Sequence, residues 1–424
     1  MKFKSIKENN YNLQLIDVSN FRSCHFALIF RDNFDPKKAI CYSLLSDMIT
    51  DANKDFPSSK YVLRNMEDNY ILNFYGSFSN VGNKMQTYIV CDYVDPRYIN
   101  EENYLENVYK FIFDMIRKPL VKNNVFDKKL FELAKRRLLT DLKACSDDNN
   151  FLSINKALKL FAPSSPASFH QYDMIKFLEN LTNEDMYKYY EDLIKLHVDI
   201  FVTGNINGDK EEKLIKKYFP FNSTKELDKN ELIYHDYRMF PLKKTEKSKF
   251  KQSTIVAIYN VNNISMFERE FVSPFYLNIL NTATLNSKLY QYLRNENSLC
   301  YSVNTYPIDR CNILIVKTTI KAGQERKALK LINKAFKDMK NKISNEEFTR
   351  AYYAYQSSLK GMVDSIGAIN RLYMNMYYSG FSNYEGKQKE FKKVTIEDIY
   401  GLAKKVKLNT VYVLKGDINE RNQD

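Results

Sequence analysis

The pattern of hydrophobic and polar residues divides the chain into strands with alternating apolar positions and helices with an apolar face every three to four residues. The first half is predicted to contain strands at 11–18, 23–31, 70–79 and 84–93, and helices at 36–53, 58–69, 101–117, 126–145 and 151–162. The second half is predicted to contain strands at 253–260, 300–308 and 312–320, and helices at 267–297, 324–341 and 345–378. Each half closes with one more helix and a short strand. Since both halves mix strands with helices in the same order, the expected fold class is an α+β domain that occurs twice.

Three segments of the first half recur in the same order in the second half, which indicates an internal duplication. The matched pairs are 131–143 with 348–360, 181–187 with 394–400, and 200–207 with 412–419, at offsets of 217, 213 and 212 residues. Thr182 and Thr395 occupy equivalent positions, each three residues before an aspartate, where a threonine is expected to cap a helix. We therefore predict two homologous domains, at 1–219 and 252–424, joined by a polar linker at 220–251.

The composition favours a folded protein with neither a disulfide framework nor a membrane span. Hydrophobic residues make up 44% of the chain and aromatic residues 14%, which provides enough apolar surface to offset the entropy of ordering. The six cysteines are scattered and form no CxxC pair, so a cysteine zinc site is not expected. No signal-peptide core is visible, and no apolar run reaches the ~18 residues that cross a membrane. A cytoplasmic location without a membrane partner is expected.

The formal net charge of +13 would attract an anionic partner. The lysines lie mostly in helical runs such as 210–217 and 327–342, usually beside Glu or Asp, which is typical of solvated helix faces. No RNP, KH, zinc-finger or basic-zipper signature accompanies the charge. Nucleic acid is therefore not expected as a partner, and a basic nucleic-acid-binding protein is the less favoured alternative, to be tested by salt-dependent binding.

Two stretches of the sequence carry a family resemblance. In NTATLNSKLYQYLRNENSLCYSVNTYP (281–307), a helix with Arg294 precedes a strand with Tyr301 seven residues later. In the first half, the helix at 36–53 is followed by a turn that contains Pro57. Together with the duplicated α+β halves, these features resemble the pitrilysin/insulinase zinc metallopeptidases, particularly their bacterial two-subunit branch. The resemblance extends over nearly the whole chain and implies a clam-shaped protein of two homologous halves.

The first helix of this family carries HxxEH, in which two histidines bind zinc and the glutamate activates water. The aligned positions here are Ser43, Ser46 and Asp47, and the family's third ligand is matched by Asp141. Both zinc histidines and the general base are therefore missing. The four histidines of the chain are far apart in sequence; they are His25, His170, His197 and His235. We expect this chain to bind no zinc and to lack peptidase activity on its own.

Other chemistry at these positions is less favoured. Asp47 with Asp141 offers too few ligands for zinc and only a weak site for a hard cation. Ser43 and Ser46 lack a positioned base, so they are interpreted as small residues that fill the place of lost catalytic groups. Cys24 precedes His25, but neighbours on a strand point to opposite faces of the sheet. No GxSxG, P-loop or GxGxxG motif is present.

Arg294 and Tyr301 match the family residues that hydrogen-bond the peptide carbonyl beside the zinc. A chain that keeps this pair and lacks HxxEH resembles the non-catalytic subunit of the two-chain family members. The resemblance implies a heterodimer with an HxxEH-bearing homologous subunit, which would hold the zinc, and a peptide substrate bound as an added strand on a sheet edge. Two alternatives stay open: a homodimer, and a peptide-binding scaffold of the same fold that acts without proteolysis.

Overall fold

The computed structural model describes residues 1–222, 239–248, 250–282 and 286–417. The chain forms two compact units, each assembled from separate segments. The first unit comprises Met1–Ala144, the described part of Gln171–Glu231, and Met362–Ser379. The second unit comprises Cys145–His170 and the described parts of Leu232–Gly361 and Gly380–Asp424.

Each unit contains one main β-sheet together with helices, so the α+β class expected from the sequence is confirmed. The strands in chain order are β1 (Lys2–Lys7), β2 (Tyr11–Asp17), β3 (Ser23–Asn33), β4 (Ile71–Val81), β5 (Lys84–Val94), β6 (Val121–Lys122), β7 (Val125–Phe126), β8 (Val198–Gly204), β9 (Leu242–Lys247), β10 (Gln252–Val261), β11 (Cys300–Ile308), β12 (Ile313–Lys321) and β13 (Val406–Lys415). Strands β6 and β7 form a separate two-stranded ribbon in the first unit.

The two main sheets share one strand order, which confirms the duplication predicted from the repeats. The sheet of the first unit runs β1-β2-β8-β3-β5-β4, and that of the second runs β9-β13-β10-β12-β11. Apart from β1, every strand of the first sheet has a counterpart at the same position in the second. The pairings β2–β8 and β9–β13 are parallel and all others are antiparallel. Strands β4 and β11 are therefore equivalent edge strands.

The helices differ from the predicted ones mainly by being interrupted. They are α1 (Pro36–Asp51), α2 (Ser59–Asp68), α3 (Tyr104–Arg117), α4 (Lys128–Ala144), α5 (Asn149–Phe161), α6 (Ile175–Asn180), α7 (Asn183–Leu193), α8 (Gly208–Tyr218), α9 (Ser273–Leu280), α10 (Lys288–Tyr290), α11 (Glu325–Asp338), α12 (Asn345–Gly361), α13 (Ile366–Ser379), α14 (Tyr384–Glu390) and α15 (Ile396–Lys405). The region predicted as helical at 267–297 contains two π-helical turns, Glu268–Val272 and Gln291–Asn295, and its residues 283–285 lie outside the described chain. Within the described ranges, no helix is both long and apolar enough to cross a membrane.

Helices α5 and α13 are equivalent in the repeat, yet each packs on the sheet that the other half of the sequence forms. Phe161 of α5 lies in the apolar core of the second unit with Val256 and Tyr412. Ile369 of α13 lies in the apolar core of the first unit with Phe201. The predicted helix at 345–378 is therefore split where the chain passes from one unit to the other. The compact units differ from the two halves of the sequence by this exchange of one helix each.

Buried polar groups fix α13 on its sheet. Asp199 on β8 is 4% exposed and accepts hydrogen bonds from the hydroxyls of Tyr377 (3.2 Å) and Tyr378 (2.8 Å). The same carboxylate accepts from the side-chain amide of Asn12 at 2.9 Å. The guanidinium carbon of Arg31 lies 4.0 Å from the ring centroid of Tyr378. Because buried polar groups are costly when unpaired, this network selects one placement of α13 along β8.

The predicted linker at 220–251 contains an edge strand. Strand β9 pairs in parallel with β13, with Leu242 opposite Thr410. Its sequence, LKKTEK, is polar and mostly exposed, so backbone hydrogen bonds rather than apolar burial hold it in the sheet. The hydrophobic pattern therefore did not reveal it. Residues 223–238 and 249 of the predicted linker lie outside the described residues.

Thr182 and Thr395 cap α7 and α15, as predicted. Oγ1 of Thr182 accepts a hydrogen bond from Asp185 N at 3.1 Å, and Oγ1 of Thr395 accepts from Asp398 N at 3.2 Å. The Asp398 carboxylate also accepts from Thr395 N at 2.8 Å, which completes a capping box. These contacts satisfy N–H groups that a helix start otherwise leaves unpaired.

Glu211 on α8 makes the first unit sensitive to pH. Its carboxyl is buried and accepts a hydrogen bond from the Tyr109 hydroxyl, and desolvation raises the pKa of Glu211 to about 7. The folded state therefore binds the Glu211 proton more tightly than the unfolded state does. The protonated Glu211 contributes its full share of the free energy of unfolding below the ordinary pKa of 4.5. That contribution is lost as the pH rises through about 7.

Replacing Glu211 with glutamine should flatten the dependence of stability on pH between 4.5 and 7.5. Each unit of pKa difference corresponds to about 1.4 kcal/mol. Across this pH window the free energy of unfolding of the wild-type chain should therefore fall by roughly 2–3 kcal/mol more than that of the variant. Urea unfolding at a series of pH values measures the difference. Glu212→Gln is the matched control, since the Glu212 carboxylate pairs with Lys4 at the surface, at 2.9 Å. Equal slopes for the wild type and Glu211→Gln would contradict the prediction.

Candidate functional site

Helix α1 carries the positions at which the zinc motif was expected. It begins with a cap in which the Asp35 carboxylate accepts from Lys38 N at 2.8 Å. The Ser46 hydroxyl is buried and donates to the carbonyl of Ser43 at 2.7 Å, and the Ser43 hydroxyl donates to Gln171 Oε1 at 3.5 Å. Neither hydroxyl bonds to a histidine or a carboxylate of the described residues. Within the described ranges, no base is therefore placed to activate a serine nucleophile.

Strand β4 packs closely against α1 at the same place. A Cβ atom on Gly76 would collide with the backbone carbonyl of Ser46, so this contact requires glycine. Since β4 is the edge strand of its sheet, one side of its backbone has no strand partner. The helix that should carry the zinc motif thus packs on the face of an edge strand.

Asp47 lies on the exposed face of α1. Although the residue as a whole is exposed, partial desolvation of its carboxyl group raises the pKa of Asp47 to about 6. The charges of Asp51 and Asp141 raise it too, whereas the charge of Arg137 lowers it. Arg137 donates to Asp51 Oδ2 at 2.8 Å. The structure therefore brings the two predicted carboxylates, Asp47 on α1 and Asp141 on α4, within electrostatic reach of each other.

The donors at these positions do not fit zinc. Structural and catalytic zinc sites use three or four histidine, cysteine or carboxylate ligands, whereas Ser43, Ser46 and Asp47 supply a single carboxylate. Across the described ranges, no group of three or more His, Cys, Asp or Glu side chains is arranged to hold a metal ion. The guanidinium of Arg137 supplies the positive charge beside this acidic group.

Arg294 and Tyr301 lie together where edge strand β11 begins. The Arg294 Cζ atom is 4.9 Å from the ring centroid of Tyr301 and 5.3 Å from that of Tyr290. Arg294 Nη1 also donates to the Tyr290 hydroxyl at 3.1 Å. Tyr301 is 82% exposed, and Arg294 forms no ion pair with a carboxylate of the described residues. An unpaired guanidinium beside an exposed phenol can bind a carbonyl or carboxylate oxygen.

Two backbone irregularities place this pair. Arg294 lies in the π-helical turn Gln291–Asn295, which inserts an extra residue into the helical winding and rotates the side chains that follow. The pairing of β11 with β12 shifts register between Cys300 and Val303, so Tyr301 lies in a bulged segment of the edge strand. Bulges of both kinds re-aim side chains, which accounts for the exposure of a large aromatic residue at this point.

Two residues near the predicted positions were missed in the sequence. Tyr290 precedes Arg294 by four residues, the spacing of neighbours on one helix face, and its aromatic ring and hydroxyl could have suggested the contact. Arg137 precedes Asp141 by the same spacing on α4. Its partner Asp51 lies on another helix, and only the fold brings the two together.

Cys24 and His25 do not form a nucleophile and its base. Cys24 is fully buried, and burial raises the pKa of its thiol well above the usual value. His25 Nδ1 lies 2.6 Å from Asp92 Oδ1 on the neighbouring strand. A buried thiol with a raised pKa is a poor nucleophile, so this pair offers no alternative catalytic centre.

Comparisons with known proteins agree with this geometry. Residues 180–353 match the family model described as the peptidase M16 inactive domain. Over 381 residues the chain is 20% identical to the probable inactive metalloprotease YmfF of Bacillus subtilis, and the match covers 88% of each protein. The chain is an inactive-type homologue of the M16 peptidases. The relationship to the pitrilysin/insulinase family, which M16 denotes, is thereby confirmed.

Solved structures show the same fold for this M16 homologue. A conserved protein from Enterococcus faecalis superposes with a TM-score of 0.92 at 19% identity, over 99% of this chain and 100% of that one. The periplasmic protease PqqL from Escherichia coli superposes with a TM-score of 0.73 at 14% identity, over 98% of this chain and 45% of that one. The M16 homologue therefore corresponds in length to about half of that protease.

Proposed function

We propose that this M16 homologue is the non-catalytic, substrate-binding subunit of a zinc peptidase whose HxxEH motif is supplied by a homologous partner chain. The observation that carries the proposal is the contact of Arg294 with Tyr301 on edge strand β11. Tyr301 and the guanidinium N–H groups of Arg294 that do not bond to Tyr290 can donate to a substrate, whereas the positions expected to bind zinc hold Ser43, Ser46 and Asp47. The chain has thus kept donors for a substrate and lost the groups that would cleave it.

The chemistry of Arg294 suits a peptide carbonyl beside a reacting centre. A guanidinium without a carboxylate partner stabilises negative charge as it develops on an oxygen. The phenol of Tyr301 adds a second donor at the same end of β11. Edge strands β4 and β11 each offer an unpaired backbone side on which an extended peptide could add as a further strand. Small peptides in the cytoplasm are the proposed substrates.

The proposed peptidase obtains its zinc from the partner. Zinc bound by HxxEH polarises the scissile carbonyl and activates water. In this M16 homologue α1 carries no histidine, and its two carboxylates, Asp47 and Asp51, are both close to the charge of Arg137. Metal analysis of the separately purified chains should therefore find zinc with the partner only.

Mixing this chain with its HxxEH-bearing homologue should produce peptide hydrolysis that neither chain shows alone. In the mixture, Arg294→Gln should lower kcat by about 10²–10³-fold, because one donor to the developing oxyanion is removed. Tyr301→Phe should lower it by a smaller factor. Cleavage of fluorogenic peptides measures the rate, and size-exclusion chromatography with light scattering shows whether the two chains still associate.

Matched controls are available on exposed surface. Arg326→Gln and Tyr353→Phe make the same chemical changes at positions away from β11, and both should leave the rate unchanged. A mixture that forms a complex but shows no gain in hydrolysis would overturn the proposal. In that case peptide binding without turnover would support the alternative, a scaffold of the same fold that acts without proteolysis. Self-association without binding of the partner would indicate a homodimer.

A further inference from the structure

Helix α11 of the second unit presents a stripe of lysines on one face. Lys327, Lys330, Lys334 and Lys337 are spaced by three, four and three residues, which places them along a single side of the helix. All four are exposed. None of them forms an ion pair with a described residue, and the Lys334 amine lies 4.0 Å from the centroid of the Tyr292 ring. We call these four residues the lysine stripe.

The acidic residues near the stripe face other groups. Glu325 bonds to the Ser253 hydroxyl and to Gly323 N, and Asp338 bonds to the Tyr292 hydroxyl and to Lys342. The four lysines are exposed, as expected for a solvated helix face in run 327–342. On this side of α11, however, no described carboxylate forms an ion pair with them.

The duplication provides an internal comparison. Helix α3 follows β5 in the first unit as α11 follows β12 in the second, so the two helices are equivalent. On α3 the charges are mixed and paired: Glu106 bonds to Lys217, and Asp114 bonds to Arg117 and Lys118. The fold consequently does not require a basic helix at this place. The lysine stripe is a property of the second copy alone.

We propose that the lysine stripe is a docking surface for an acidic helical segment of a partner protein. Carboxylates spaced three to four residues apart on a helix repeat at the same pitch as the lysines, so the two faces can pair along their length. No large apolar side chain of α11 is exposed, and stable attachment to a membrane needs a second, apolar signal beside the charge. Stacking of nucleic-acid bases needs exposed aromatic rings, which the stripe lacks. The contact is electrostatic, fast to form and sensitive to salt.

The test uses the full chain and a labelled helical peptide with glutamates at four positions spaced three, four and three residues apart. Fluorescence anisotropy at low salt should show binding that weakens steeply as salt is added. Lys327→Glu combined with Lys330→Glu should weaken binding by at least about tenfold, because two attractions become repulsions. The control is Lys128→Glu combined with Lys129→Glu, two exposed lysines in the first turn of α4, so that the change in net charge is the same.

Three results would overturn the proposal. An equal loss of affinity in both double variants would mean that the peptide responds only to net charge. Tighter binding to vesicles containing phosphatidylserine than to the peptide would assign the stripe to a lipid surface. Tighter binding to duplex DNA would assign it to nucleic acid. Loss of binding in the α11 variant alone, together with preference for the acidic peptide, supports the proposal.

Discussion

Replacing Phe161 with alanine should destabilise the second unit, although the residue belongs to the first half of the sequence. Phe161 is 2% exposed and packs with Val256, Ile258 and Tyr412 beneath the sheet of that unit. Truncating a buried phenylalanine removes its transfer free energy and leaves a cavity, at a cost of about 3–5 kcal/mol. Native-state hydrogen exchange should show faster exchange in β10, β12 and β13, while β3 and β8 keep their protection.

The equivalent helix provides the reciprocal variant. Tyr373 on α13 is 3% exposed in the core of the first unit, so Tyr373→Ala should speed exchange in β3 and β8 and spare β10 and β13. The two variants together test whether α5 and α13 are exchanged between the halves. If Phe161→Ala instead exposed the amides of β3 and β8, each half would cover its own sheet and the exchange would be refuted.

Replacing Lys387 with alanine should have a similarly large effect on the second unit. Lys387 pairs with Glu270 at 2.5 Å, and their side chains are 8% and 3% exposed. The Glu270 carboxylate also accepts from Ser382 N at 2.8 Å and from the Ser382 hydroxyl at 3.2 Å. Removing the ammonium leaves a buried carboxylate without its counter-charge, which costs about 3–5 kcal/mol. Urea unfolding followed by circular dichroism measures the loss.

Two controls separate burial from charge. Lys393→Ala breaks an exposed pair with Glu390 and should cost at most about 1 kcal/mol. A double variant, Glu270→Gln with Lys387→Met, removes both charges and should recover much of the stability lost by Lys387→Ala. A cost for Lys387→Ala no greater than that for Lys393→Ala would show that the pair is solvated in the folded protein.

The candidate site was partly predictable from local sequence. The family resemblance pointed to Arg294 and Tyr301, and their contact could be anticipated because they lie on consecutive elements, the helical turn and the strand that follows it. The absence of HxxEH could also be read directly, since that motif lies on one helix. By contrast, the contact of Arg137 with Asp51 joins α1 to α4, and sequence spacing carries no information about it. The raised pKa of Asp47 depends on the same packing and was likewise invisible.

The sequence by itself determined the α+β class, the duplication, the positions of most strands and helices, and the two threonine caps, since all of these depend on local periodicity or on contacts within a few residues. Only the tertiary structure decided that α5 and α13 exchange sheets, because an amphipathic helix shows which of its faces is apolar but not which sheet will cover it. The same holds for β9, whose polar residues are held by backbone hydrogen bonds that leave no mark in the side-chain pattern. It also decided that no described carboxylate forms an ion pair with the α11 lysines, because charge pairing depends on which residues face each other in space.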